Sequence, residues 1–214
     1  GSFRYTLPIS PTLRLLHEIT GGYDFKRSNN TINFVENLPV VGQNVNLTQF
    51  MAGYQLGYER EHLRWSHKIG FELELFFSPF TWLPDQSDID FRSLNPFATP
   101  IYVYGHMALD YVVNLPKGCK WSTLCTMQLS NQSLLPSEQL GIGGYNTVRG
   151  YDERALNADD GVIVSSEFYF PHITFMKKSV RDRLAFLVFM DYGWAHDNHQ
   201  LPSEEQTAYL WSAG

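Results

Sequence analysis

Apolar and polar side chains alternate along this chain for ten to fourteen residues at a time, and the alternation returns again and again. Period two over such lengths dictates long β-strands with one apolar and one polar face. From Leu13 the odd positions read Leu13, Leu15, His17, Ile19, Gly21, Tyr23 and Phe25, against Arg14, Leu16, Glu18, Thr20, Gly22, Asp24 and Lys26. Leu47–Tyr58 sets Phe50, Ala52, Tyr54, Leu56 and Tyr58 against Gln49, Gly53, Gln55 and Gly57. In Lys68–Phe77, Ile69, Phe71, Leu73, Leu75 and Phe77 oppose Glu72 and Glu74. Four more strands follow: Ile101–Val113, Trp121–Ser130, Val162–Phe170 and Leu184–Tyr192. Phe3–Leu7 and Thr207–Trp211 read as stumps of two others, and no amphipathic helix stands out.

No apolar run approaches the ~18 residues of a membrane helix. That leaves membrane β-barrels open, because their strands hide the apolar signal by alternation. Charged residues make up 18% of the 214, below the roughly 25% usual for soluble domains. The connections alternate in kind. Short ones lie near Pro8–Pro11, Glu59–His62, Asn114–Lys120 and Pro171–Asp182; long ones cover Glu36–Asn46, Ser78–Pro100, Gln132–Gly161 and Trp194–Gln206. Short turns on one rim and long loops on the other are the build of an outer-membrane barrel. Tyr58, Trp65, Trp82, Trp121 and Trp194, near strand ends, suit its interfacial girdles, although aromatics favour strands in general. Strand length points the same way, since soluble strands run to about five or six residues.

A soluble barrel or sandwich would place the apolar face inside, and alternation alone does not choose. The polar face carries Arg14, Glu18, Asp24, Lys26, Glu72, Glu74, His106, Asp110, Glu167 and Asp191. Such a face suits a watery lumen or the outside of a sandwich. Loop asymmetry and strand length favour the lumen.

The most informative stretch runs from Leu135 to Arg154, inside a connection of about thirty residues; loops that long are usually functional. Its core is Gly143-Gly144-Tyr145-Asn146-Thr147-Val148-Arg149-Gly150-Tyr151. Glycines there open backbone conformations closed to other residues. A single arginine between Val148 and Tyr151 describes a structured hairpin loop with a cation at its tip. Two strands on, the chain has Phe189-Met190-Asp191-Tyr192-Gly193.

In these two segments the sequence resembles the haemolysin secretion/activation proteins, the transporters of two-partner secretion. Their superfamily, periplasmic domains followed by a barrel, also holds the barrel-assembly insertases. Gly143-Gly144 with Val148-Arg149-Gly150-Tyr151 resembles the superfamily's signature in its sixth extracellular loop, which folds back into the lumen. Phe189-x-Asp191-x-Gly193 resembles the motif of the thirteenth strand. The resemblance implies that Arg149 pairs with Asp191 and pins the loop tip to the inner wall. The alternation agrees, since Asp191 falls opposite Val188 and Met190. So does the strand count, which makes Leu184–Gly193 the thirteenth strand if Gln132–Gly161 is the sixth loop. An arginine in a lumen needs a partner, because an unpaired desolvated charge is costly, and a carboxylate can take its planar fork in two parallel bonds.

The resemblance implies an all-β fold, an antiparallel transmembrane β-barrel of about sixteen strands. Residues 1–214 then form part of its C-terminal barrel domain, about the sixth to the fourteenth strand, with periplasmic domains and the remaining strands lying outside this chain. It implies an outer-membrane pore of a Gram-negative-type envelope, set among outer-membrane lipids, that passes an unfolded secreted polypeptide. A barrel-assembly insertase is the alternative within the superfamily, although its tetrad often ends in Phe where Tyr151 stands. A soluble or surface β-protein that binds a ligand is the more distant one.

Other chemistries find little support. A net charge of −6 and a pI near 5.6 argue against nucleic acid. No phosphate-binding loop occurs, so no nucleotide is expected, and no cofactor. His196 and His199 have the spacing of a pair of metal ligands, but in a polar loop; His62 and His67 lack a third ligand. Glu72 and Glu74 read as lumen lining, and Asp159-Asp160-Gly161 lacks the remaining oxygens of a calcium loop. Neither a metal site nor an enzyme is expected. Cys119 and Cys125 would lie nearly 20 Å apart on an extended segment, at roughly 3.3 Å per residue, and read as free thiols.

Overall fold

The computed structural model describes residues 1–12, 15–30, 43–62, 65–174, 183–199 and 205–214. Nine antiparallel strands form one sheet in the order β1-β2-β3-β4-β5-β6-β9-β10-β11. They are β1 (Ser2–Thr12), β2 (Leu15–Asn30), β3 (Gln43–His62), β4 (Trp65–Ser78), β5 (Tyr102–Asn114), β6 (Lys120–Ser130), β9 (Asp160–Tyr169), β10 (Leu187–His196) and β11 (Thr207–Ala213). Every neighbour in the sheet is the next strand in sequence, save that β6 passes to β9 across a two-stranded hairpin, β7 (Leu140–Ile142) and β8 (Leu156–Ala158). That is the meander expected of hairpin-linked strands.

Register preserves the faces across the whole sheet. One continuous row of paired residues reads Leu7, Ile19, Tyr54, Leu73, Met107, Met127, Val162, Trp194 and Tyr209. The adjacent row, displaced by one residue, reads Glu18, Gln55, Glu72, Ala108, Thr126, Ile163, Gly193 and Leu210. A slip of one position in any strand would break both rows, so the pattern fixes the register. On the first face Phe3, Tyr5, Phe77, Val103, Leu129, Val188, Met190 and Trp211 stand exposed. An apolar face of nine strands is far beyond the patches a soluble monomer leaves bare. Ring contacts gather near its two ends: Tyr23, Phe50, Phe77 and Trp82 at the long-loop end, and Trp65, His67, Tyr111 and Trp121 at the short-turn end.

Several boundaries differ from the sequence reading. β1 runs through Pro8–Pro11 to Thr12, with a register irregularity between Ile9 and Thr12. Within β1, Pro8 still lies opposite Glu18 of β2. Likewise β3 continues through Glu59–His62, whose charged residues still pair with β4. β10 begins at Leu187 and runs on to His196, past the expected end at Tyr192. The segment Ser78–Pro100 holds a helix, α1 (Asp88–Leu94). Seven residues are too few to show a helical period, and the helix rests on a capping box between Ser87 and Asp90. Arg14, most of the Glu36–Asn46 connection, and parts of Pro171–Asp182 and Trp194–Gln206 lie outside the described residues. Both cysteines are free.

Candidate functional site

The long β6–β9 connection folds onto the polar face of the sheet. Its tip is shaped by three glycines with positive φ: Gly143 (109°), Gly144 (106°) and Gly150 (87°). At Gly143 a Cβ would also stand 2.6 Å from the Asp152 carbonyl oxygen. The Gly143 amide donates to Thr147 Oγ1 at 2.9 Å, and the Tyr145 amide to Glu153 Oε1 at 3.0 Å. Val148 and Ile142 are fully buried and pack with Ala158, Ile163 and Ala195. Gly193 makes room for them, because a Cβ there would meet Ile142 Cγ2 at 2.6 Å and Val148 Cγ2 at 3.0 Å.

This packing delivers Arg149 to the wall. Its Nε donates to Asp191 Oδ2 at 2.7 Å and its Nη2 to Asp191 Oδ1 at 2.6 Å, a two-bond fork. Its backbone amide reaches the same Oδ2 at 3.1 Å. Nη1 donates to Glu167 Oε1 at 2.5 Å, and the guanidinium carbon lies 3.6 Å from the centre of the Phe189 ring. Asp191 is wholly buried, and Ser165 and Ser212 also donate to it, at 2.7 and 3.2 Å. Tyr169 donates its hydroxyl to Glu167. The bonds to Asp191 outweigh burial and, with those to Glu167, hold the Arg149 pKa above its ordinary value. Tyr151 extends its hydroxyl to the Trp211 carbonyl at 3.4 Å. Tyr145 stands 80% exposed beside a cavity of about 300 Å³ that Asp110, Arg149 and Glu167 also line.

A second polar centre lies at the loop's entry. Leu134 and Leu135 are buried against Val45, Leu47, Phe91, Tyr102 and Tyr104. Directly after them the Glu138 carboxylate accepts Lys26 Nζ on both oxygens at 2.8 Å, and on Oε2 the Tyr104 hydroxyl at 2.8 Å and Gln49 Nε2 at 3.3 Å. Gln49 also donates to Asp24 at 3.3 Å, and Asp24 pairs with Arg4 at 2.7 Å. Tyr102 closes the group by donating to Gln49 Oε1 at 2.8 Å. Asp159 ties the base of the loop, accepting from the amides of Leu134 (2.8 Å) and Asn198 (3.1 Å).

The structure thus brings Arg149, Asp191, Phe189 and Glu167 together, with Gly143, Gly144, Val148, Gly150 and Gly193 shaping the approach. Sequence reasoning passed over Glu138 and its partners. Glu138 lies within the quoted stretch, and Asp24, Lys26, Gln49 and Tyr104 all occupy polar-face positions, but nothing in the alternation says which loop residue meets them. The histidines serve elsewhere: His196 faces Thr207 at 3.1 Å and His199 faces Ser133 at 3.3 Å. Glu72 accepts from Gln55 at 2.7 Å, and Asp160 from the Ser130 amide at 2.6 Å. Among the described residues no group of three or more His, Cys, Asp or Glu is arranged to hold a metal ion.

A family model described as Haemolysin secretion/activation protein ShlB/FhaC/HecB matches residues 17–214. Among solved structures, CdiB from Escherichia coli is similar, with a TM-score of 0.72 at 17% identity. The likeness covers 99% of this chain and 37% of that one, so the chain spans little more than a third of that relative's length. No curated protein matches the sequence. At this identity the likeness speaks for the fold: the nine strands are part of the wall of a transmembrane β-barrel.

Proposed function

Because this chain belongs to the haemolysin secretion/activation protein family ShlB/FhaC/HecB, we propose that it is part of an outer-membrane pore exporting an unfolded polypeptide partner, its long loop anchored to the inner wall by Arg149 and Asp191. Residues 1–214 form a stretch of the C-terminal barrel domain. Its apolar face meets outer-membrane lipids, and its polar face lines the path of the secreted chain. Transport, not enzymatic chemistry, is its work, and no nucleic acid or nucleotide takes part.

One observation carries the anchoring: a guanidinium forked onto a wholly buried carboxylate of the wall, from the tip of a loop whose glycines and buried Val148 leave it one direction to point. Two parallel bonds fix orientation as well as distance. Beside the tip so held lies a polar cavity of about 300 Å³. Lining the path with carboxylates, amides and hydroxyls gives an unfolded chain, whose backbone groups need partners, a wet surface to slide along.

The test uses the full-length protein in planar lipid bilayers, with wild type, Arg149→Ala, Asp191→Ala and the double variant, each also scored for export of its partner. Each single change is expected to alter conductance and secretion, and the double change to add little, since the two residues act as one unit. Additive effects would refute the anchor. A protein that forms no channel and stays dissolved without detergent would refute the pore, and assembly of other barrels without export would point to an insertase.

A further inference from the structure

Glu138 contacts a different wall from Arg149. Its carboxylate bonds to β2 through Lys26, to β3 through Gln49 and to β5 through Tyr104, whereas Arg149 bonds to β9 and β10. The Glu138 side chain is 1% exposed although it belongs to a connecting loop. A carboxylate in that position is stabilised only where donors surround it, and here four donated bonds come from three strands. Charge is balanced across the group, with Arg4 and Lys26 against Asp24 and Glu138. The apolar cluster of Leu134, Leu135 and Phe91 adjoins it, so the bonds to Glu138 form where the loop's entry is already packed.

From this placement we propose that Glu138 is a second clamp on the long loop, a positioning residue that keeps the loop's entry against the β2–β5 wall, so that the loop leaves the lumen only when both clamps open. The inference rests on the reading of the loop as anchored in the lumen by Arg149. It extends that reading from one point to two walls. With both clamps closed the loop is a strut across the inner face of the sheet; with either one broken, it loses one of its two charged attachments to the wall. Because both must break for release, loss of either lowers the energy of release by its own share.

The test follows loop position rather than export. In full-length protein in the outer membrane of intact cells, every cysteine, Cys119 and Cys125 included, is replaced by serine and Tyr145→Cys places a single thiol at the exposed tip. The rate of labelling by a membrane-impermeant maleimide then reports how often the tip is reachable from outside. Glu138→Ala is expected to raise that rate about tenfold, the ratio matching the lower end for hydrogen bonds to a charged group. Heat-modifiable migration should stay that of a folded barrel. Glu138→Gln, which keeps a carbonyl oxygen for Tyr104, should fall between wild type and Ala. Arg149→Ala in the same background should also raise the rate. A flat response to Glu138→Ala beside a raised response to Arg149→Ala overturns the second clamp and leaves the first standing; flat responses to both overturn both. Should Glu138→Ala fail to accumulate, Lys26→Gln removes the same ion pair from its half-exposed side, and an unchanged rate there likewise overturns the proposal.

Discussion

At the tip of the long loop a cation reaches for the wall, and at its entry an anion does. Arg149 meets two carboxylates, Asp191 and Glu167, in a forked geometry with an aromatic ring beneath it. Glu138 meets one ammonium and three neutral donors, from an amide, a phenol and the neighbouring Ser137 hydroxyl. The tip therefore depends on shape: no other side chain offers the guanidinium's planar set of donors. The entry depends on there being an acceptor at all, met by donors that differ in kind and come from three strands. Their exposures differ too, for the tip joins a side chain 17% exposed to one wholly buried, while Lys26 is 44% exposed. Of two ion pairs of similar length, the tip pair is specific and the entry pair is tolerant.

The largest effect comes from breaking the specific one. Asp191→Ala removes the fork, leaving Arg149 with Glu167 and the Ser165 hydroxyl, and strips Ser165 and Ser212 of an acceptor. Removing one partner of a buried pair costs about 3–5 kcal/mol. The loop of the full-length protein in outer-membrane vesicles should become open to added protease while the strands stay protected. Unchanged protection would place the loop's hold at its entry instead.

The comparison is sharpened by two conservative changes measured in the same assay. Arg149→Lys keeps the charge but loses the fork, with an expected cost of about 1.5–3 kcal/mol. Glu138→Gln keeps one acceptor oxygen but loses the charge and turns the other oxygen into an amide donor, with an expected cost of about 1 kcal/mol, as for an ordinary hydrogen bond. Equal effects would erase the distinction between a specific tip and a tolerant entry.

Gly193→Ala probes the tip without touching any charge. The new methyl meets the ends of Ile142 and Val148, and Val148 has little rotamer freedom to yield. The hairpin should lift slightly, at the lower end of the ~1–3 kcal/mol of overpacking, with labelling at the tip rising and at the entry unchanged. A rise at both would mean that the two regions move together.

How much of this could be read from residues alone differs between wall and loop. The strands and their faces were legible because a period of two survives over ten or more positions and is enforced by register across nine strands. Their ends were less so: Glu59, Arg60 and Glu61 look like a turn but still pair, since the ladder bonds through backbone whatever the side chain. The proximity of Arg149 and Asp191 was legible only through two family-like motifs, since they lie 42 residues apart. The Glu138 group was not legible. Parity marks Gln49 and Tyr104 as inward positions, yet the loop residue that arrives there is set by how Leu134 and Leu135 pack.

The smallest effect concerns α1, which touches the entry and not the tip. Phe91 of α1 is buried in the cluster that holds Leu134 and Leu135, and the helix starts from the box in which Ser87 Oγ accepts the Asp90 amide and Asp90 accepts the Ser87 amide at 2.8 Å. Hydrogen bonds from the Ser87 hydroxyl and amide hold the Asp90 carboxyl below its ordinary value, so this helix start has a pH dependence with a definite sign. A depressed folded value means the contribution is complete above about pH 4, the unfolded carboxylate range, and is lost as pH falls through the folded value. Ser87→Ala removes the cap at any pH, at a cost of typically ~1 kcal/mol. The protection of the Asn95 amide, whose N–H bonds to the Phe91 carbonyl, taken relative to its intrinsic exchange rate at the same pH, should fall in that variant and, in wild type, on acidification below pH 4. Because α1 shares its packing with the entry alone, exchange around Leu135 should follow it, and labelling at Tyr145 should not. A tip that responded to the loss of Ser87 would show that the two ends of the loop are one cooperative unit, and the contrast between a specific and a tolerant attachment would then belong to the chemistry of the contacts but not to how the loop moves.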